Sequence, residues 1–218
     1  MARNLARIRE SIADSARQAG RDASDIELVA VSKTVPLEGI LAAIDAGQTL
    51  FGENRVQEAL LKLEALGAPA AGQAAAFHLI GHLQSNKARH GSAFAMVESV
   101  DSVKLARALS RRSHDSLAIL LEVNVAGEAS KDGFQPDELE PALREIRALP
   151  NLNVQGLMTV APLAVDPEEV RPHFRRLREL RDAFGLDALS MGMTNDYEIA
   201  IAEGATLVRI GRAIFGER

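Results

Sequence analysis

The sequence predicts an α/β protein: a single (β/α)8 (TIM) barrel with an extra N-terminal helix. Three observations point there. Short apolar runs alternate with stretches of helical period along the chain, the pattern of parallel strands covered by helices. The apolar runs number eight, enough to close a sheet on itself. No shift in composition marks a second unit, so residues 1–218 are expected to form one domain, with 1–20 as the leading helix and 27–216 as the barrel. The alternative is a doubly wound open sheet with fewer true strands. No Gly-x-Gly-x-x-Gly follows the first strand, which weakens a dinucleotide-binding version of it.

Each element has its own signal. In residues 3–19, Leu5, Ile8, Ile12 and Ala16 recur at helical spacing among charged residues, and Gly20 ends the run. Leu28-Val29-Ala30-Val31-Ser32-Lys33 is apolar, partly β-branched and ends on a lysine, which reads as a buried strand. A helix over 37–46 stops at Gly47, and Thr49-Leu50-Phe51-Gly52 is the second strand. A helix covers 54–66, and 68–76 is an Ala/Gly/Pro loop. Residues 77–81 and 94–98 are the third and fourth strands. A helix at 102–113 precedes 117–125, the longest and most apolar strand. A polar loop at 126–135 leads to a helix from Pro136 to Leu149, then to a sixth strand at 154–158. Over 167–184, Val170, Phe174, Leu177, Leu180 and Phe184 share one helical face and the arginines form a solvated one. Strands at 188–191 and 206–210, a helix at 196–203 and a short helical stretch at 213–215 complete the alternation.

Composition narrows the function. The formal net charge of −5 argues against a general nucleic-acid surface. The apolar runs reach about eight residues, too short to span a bilayer. The start of the chain has no apolar signal segment, and the absence of cysteine removes disulfides, thiol nucleophiles and thiolate metal ligands. A cytoplasmic location and a monomer are the expectations.

In a parallel barrel the strand ends form one rim, where ligands bind. Lys33 falls there, as do Glu53 and Asn54, His82 and Gln84, Glu98 and Asp101, Asn124 and Thr159. A lysine desolvated at that rim is an amine nucleophile for a carbonyl; otherwise Lys33 is a solvated loop lysine. Gly192-Met193-Thr194-Asn195-Asp196 and Gly211-Arg212 each open a glycine-bearing turn into a helix start. Such amide donors hold phosphate, although Thr194 and Asn195 also suit plain helix capping. Arg209 interrupts an apolar strand and shares a face with Leu207, so it meets either a buried carboxylate or an acceptor on a ligand. Pyridoxal 5′-phosphate carries an aldehyde, a phosphate and an acceptor ring nitrogen in one small molecule.

Several segments, taken in order, resemble the pyridoxal-phosphate homeostasis protein family. They are Val29-Ala30-Val31-Ser32-Lys33-Thr34, the run from Phe51 to Glu58, and the run from His78 to Lys87. Val123-Asn124-Val125 with Lys131-Asp132-Gly133-Phe134, Gly156-Leu157-Met158-Thr159, Ser190-Met191-Gly192-Met193-Thr194 and the run from Val208 to Gly216 complete the set. The resemblance implies a barrel like the N-terminal domain of alanine racemase. It also implies that Lys33 forms an internal aldimine with the cofactor and that Asn54 lies beside the ring. Thr194 stands where the family usually has serine and would bind phosphate. Arg209 would face the pyridine nitrogen, and Gly211 and Arg212 would offer backbone amides. Two departures, Ala205 for serine and Arg212 for threonine, are expected to remove hydroxyls near the phosphate.

The function expected is intracellular homeostasis of the cofactor: storage, buffering or delivery to apo-enzymes without dedicated turnover. An arginine at the pyridine nitrogen keeps it unprotonated and the ring a weak electron sink. The sequence runs eight residues past Ile210, so a second domain contributing a base across a dimer is not expected. Tyr197, the one tyrosine, is expected to serve packing. A small racemase or lyase using Lys33 as its base is the alternative. A phosphosugar barrel enzyme is a weaker third.

Overall fold

In the computed structural model eight parallel strands close into a barrel in chain order. The structure describes residues 1–67, 75–128, 131–162 and 164–216; most of the loop expected at 68–76 lies outside them. The strands are β1 (Glu27–Val31), β2 (Leu50–Glu53), β3 (Ala76–Leu79), β4 (Met96–Val100), β5 (Leu117–Glu122), β6 (Leu152–Met158), β7 (Ala188–Ser190) and β8 (Leu207–Ile210). Closure is made by β1 and β8, paired from Glu27 with Leu207 to Ala30 with Ile210.

The helices are α1 (Ala2–Gln18), α2 (Leu37–Asp45), α3 (Val56–Leu66), α4 (Val103–Arg112), α5 (Leu139–Arg147), α6 (Arg171–Ala183), α7 (Tyr197–Ala202) and α8 (Arg212–Phe215). Leu5, Ile8, Ile12 and Ala16 of α1 are buried, and that helix packs on α7 and α8. Among the described residues no helix is long and apolar enough to cross a membrane.

Several expected elements shift for physical reasons. The third strand is followed by 3₁₀ turns over Ser85–Ala93, not an α-helix; only Ala88 and Gly91 are buried there, too few for an apolar helical stripe. The long helix expected at 167–184 splits into a 3₁₀ turn, Pro167–Val170, and α6. Pro172 sits in the first turn of α6, the place where a missing amide costs nothing. Pro141 likewise falls in the first turn of α5, which starts three residues later than the expected helix.

Strand alternation makes two packing layers. Outward residues, among them Phe51, Phe77, Ile119, Leu157, Val208 and Ile210, join the helices in one large core. Phe51 and Phe77 stack with ring centres 5.3 Å apart. Inside the barrel, Met96, Leu120 and Met158 form a small separate cluster. Above them the interior turns polar toward the carboxyl ends of the strands, and the site lies there.

Candidate functional site

A cavity of about 320 Å³ opens at the carboxyl end of the barrel, within the size range of small-ligand sites. Its walls come from three directions. Val31 and Lys33 enter from β1 and the turn after it, Met193 to Asp196 from the turn after β7, and Arg209, Gly211 and Arg212 from β8 and the start of α8. Pro162, Ala164, Pro167 and Val170, after β6, form an apolar lip. The sequence does not single out that lip, although two prolines within a segment that joins strand to helix are a turn signal.

Lys33 lies two residues beyond the end of β1 and is exposed at the rim. The lysine thus stands at the rim where the sequence places it, with the exposure of a loop lysine rather than that of a desolvated one. Pro36 and the turn before it end the strand early, and the side chain meets the cavity from its open side.

Arg209 is buried inside the barrel. It donates to Ser190 Oγ (2.5 Å) and to the Thr159 carbonyl (2.8 Å), and its Nη1 is 4.0 Å from Glu98 Oε2. Ser190 Oγ in turn donates to Glu98 Oε2 at 2.5 Å, and His78 Nδ1 lies 2.7 Å from Glu98 Oε1. Both partners anticipated for this arginine are therefore within reach: a buried carboxylate and a cavity that it lines. Burial lowers the Arg209 pKa, opposed by the carboxylates of Glu98, Glu122 and Asp196. Glu98 is not a rim residue, as expected, but an inward residue of β4 with no solvent exposure. The strand runs Met96–Val100, later than the 94–98 expected, with a register shift between Val97 and Val100. His78 and Glu98 carry in the sequence the same signal as Arg209, a polar residue at an inward position of an apolar strand, but nothing in the sequence pairs them.

The turn after β7 is built around Gly192 at φ 91°. A Cβ there would press on Ala200 and Tyr197 of α7. Asp196 Oδ1 accepts the Met193 amide at 2.5 Å. The Met193 carbonyl accepts the amides of Asp196 and Tyr197, with Thr194 and Asn195 in the turn between. Burial raises the Asp196 carboxyl, opposed by the Met193 amide and Arg209. Across the cavity, α8 begins at Arg212, so its first amides precede any intrahelical acceptor.

Asn54 does not line this cavity. It follows β2, and its Oδ1 is buried without a hydrogen-bond partner among the described residues. Glu53, expected at the rim, points the other way, outside the barrel, to Lys62 of α3 at 2.7 Å. Asn124 closes its own loop by donating to the Glu128 carbonyl, and the Thr159 hydroxyl donates to the Val123 carbonyl, joining the ends of β5 and β6. His82 Nδ1 lies 2.9 Å from Asp101 Oδ2 and 3.5 Å from Asp132 Oδ2, so these three rim groups partner one another. Ala205 is not near the cavity. It precedes β8, at the opposite end of the barrel from Gly211, and is buried against Ala200. Its missing hydroxyl removes nothing from this site. Tyr197 is buried as a packing residue, its hydroxyl donating to Ser11 Oγ at 2.7 Å.

The sequence profile of the family described as "Alanine racemase, N-terminal domain" matches residues 4–218. The pyridoxal phosphate homeostasis protein of Pseudomonas aeruginosa is 45% identical over 225 residues, covering 100% of this chain and 96% of its own length. That of Aquifex aeolicus is 42% identical over 224 residues, covering 98% and 96%. The structure of PipY from Synechococcus elongatus with PLP bound aligns at a TM-score of 0.80 and 36% identity, over 94% of this chain and 100% of PipY.

Proposed function

We propose that this chain, which belongs to the pyridoxal phosphate homeostasis protein family, binds pyridoxal 5′-phosphate in the rim cavity and stores, buffers or delivers it without dedicated turnover. When bound, that cofactor supplies an aldehyde that condenses with a lysine amine with loss of water, and a phosphate that anchors it. The observation that carries the reading is one cavity, lined together by the Lys33 amine, the Arg209 guanidinium and two turns that open into helices.

The donor set fits the group. Among the described residues, three cationic side chains, Lys33, Arg209 and Arg212, line the cavity against one carboxylate, Asp196, already engaged by a backbone amide. An anionic ligand is favoured there. In this reading Lys33 takes the aldehyde. Thr194 holds the phosphate through its hydroxyl and turn, with the amides of Gly211 and Arg212 opposite. Arg209 faces the ring nitrogen, and Asn54, which does not line the cavity, is given no contact with the ring in this reading.

Two features support carriage over turnover. A permanently charged guanidinium at the ring nitrogen keeps that nitrogen unprotonated, which weakens the electron sink. The single tyrosine, a natural proton donor, is buried between α1 and α7 and bonded to Ser11. A monomer handing the cofactor to apo-enzymes is the simplest form of this role. The test is an absorbance spectrum of the purified protein loaded with pyridoxal 5′-phosphate, before and after borohydride, followed by peptide mapping. The expected result is a visible band abolished by borohydride, with the label on Lys33 and none in Lys33→Ala. Label on another lysine overturns the assignment. Saturable, Lys33-dependent exchange of amino-acid α-protons in deuterated water overturns the carrier reading.

A further inference from the structure

Lys33 is not the only lysine near the end of β1. Lys62, four residues after Glu58 on α3, is buried. Its ammonium donates to the Ser32 carbonyl (2.7 Å), Glu53 Oε1 (2.7 Å) and Glu58 Oε1 (2.6 Å). Three protons meet three acceptors, so nothing is left for a ligand. Each acceptor leads back to the residues on either side of Lys33. Ser32 Oγ donates to the same Glu53 oxygen at 2.6 Å, and the Thr34 amide donates to the same Glu58 oxygen at 2.5 Å.

The backbone between those anchors is unusual. Ser32 to Val35 is a β-turn closed by the Val35 amide on the Ser32 carbonyl at 2.9 Å. Lys33 is its second residue and Thr34, at φ 60°, its third. That third position normally takes glycine when φ is positive, and a β-branched residue is disfavoured there. The clamp on the Thr34 amide offsets that cost. Alternation does the rest: Ser32 points outward into the clamp, so its neighbour Lys33 leaves on the cavity side. Burial pushes the Glu53 carboxyl up, against hydrogen bonds from Lys62 and Ser32. For Glu58, burial is outweighed by Lys62 and the Thr34 amide, which hold the carboxyl below its usual range.

We propose that Glu53, Glu58 and Lys62 are positioning residues: they hold the Ser32–Val35 turn in its left-handed form and thereby aim Lys33 at the cofactor's aldehyde. This rests on the reading of Lys33 as the attachment residue. None of the three lines the cavity, so their effect passes entirely through the turn.

The experiment measures two quantities in wild type, Glu58→Ala, Glu58→Gln and the double variant Glu58→Ala/Thr34→Gly. One is the rate of borohydride-trapped attachment of pyridoxal 5′-phosphate to Lys33. The other is the affinity for pyridoxine 5′-phosphate, which keeps the phosphate and ring but has an alcohol in place of the aldehyde. Glu58 is partly exposed, so its variants are expected to fold. The expected result for Glu58→Ala is attachment about tenfold slower, the scale of one left-handed non-glycine residue, with pyridoxine 5′-phosphate affinity unchanged. Glu58→Gln, which keeps an acceptor for the Thr34 amide, loses less. Thr34→Gly restores most of the rate, because glycine takes the turn without the clamp. Unchanged attachment in Glu58→Ala overturns the proposal, as does an equal fall in both quantities. Wild-type protein that labels no Lys33 at all defeats the cofactor reading and this proposal with it, a result distinct from either.

Discussion

At the scale of single residues, the barrel interior places charge where a core normally excludes it. His78, Glu98, Ser190 and Arg209 form one hydrogen-bonded chain, so each buried group has a partner and the cost of desolvation is met within the chain. Glu122 is different. It faces the same interior from the end of β5, and burial raises its pKa to about 7, with Arg209 pulling down and Asp101 and Asp132 pushing up. A carboxyl raised on folding favours the native state while protonated. Its contribution is complete below the unfolded value near 4.5 and is lost as pH rises through about 7. The penalty at pH 8 is on the order of 2–3 kcal/mol. Glu122→Gln is therefore expected to unfold at higher denaturant concentration than wild type at pH 8 and at nearly the same concentration at pH 4. Equal midpoints at pH 8 would refute the assignment.

At the scale of elements, the two turns that frame the cavity depend on a helix from the other end of the chain. α1 lays Leu5, Ile8 and Ile12 on α7 and α8, and ties them down through Tyr197 to Ser11 and Asn4 to the Ile214 carbonyl. Leu5→Ala is expected to cost about 3 kcal/mol in urea unfolding, as for other buried leucines, while the folded fraction still labels Lys33. Loss of labelling in protein shown to be folded would mean that α1 shapes the cavity directly. On α6, Arg171, Arg175 and Arg178 are not simply solvated: all three reach the buried Glu203 at 3.0–3.1 Å. That convergence pins α6 to the end of α7. Helical period alone assigns those arginines to a polar face and does not reveal their common partner.

At the scale of the whole molecule, closure joins the chain's two ends at the site. β1 brings the turn with Lys33, and β8 brings Arg209 and the start of α8. A chain ended at Gly204 loses β8 and leaves β1 and β7 as open edges. It is expected to show no cooperative thermal transition by circular dichroism and to elute as aggregate, because unpaired parallel strands expose their backbone groups. A monomeric, cooperatively melting fragment would show that closure is dispensable.

The local signals in the chain were enough for the architecture and for most of the cavity. Eight apolar runs at helical intervals imply parallel strands, and parallel strands imply one rim. A lysine at the end of the first run, the Gly192–Asp196 turn and an arginine inside the last strand therefore had to gather on that rim. What the chain could not reveal was which way the polar residues at strand ends point. Glu53 turns outward to Lys62 and Glu98 inward to Ser190, and Asn54 is not among the residues that line the cavity. Those directions follow from where each strand ends and from register shifts such as that in β4. One residue of slip exchanges the two faces. The clamp on Lys33 was equally hidden: only Glu58 and Lys62 share a helical spacing, and Ser32 and Glu53 join them only when the closed sheet and its covering helix bring them together.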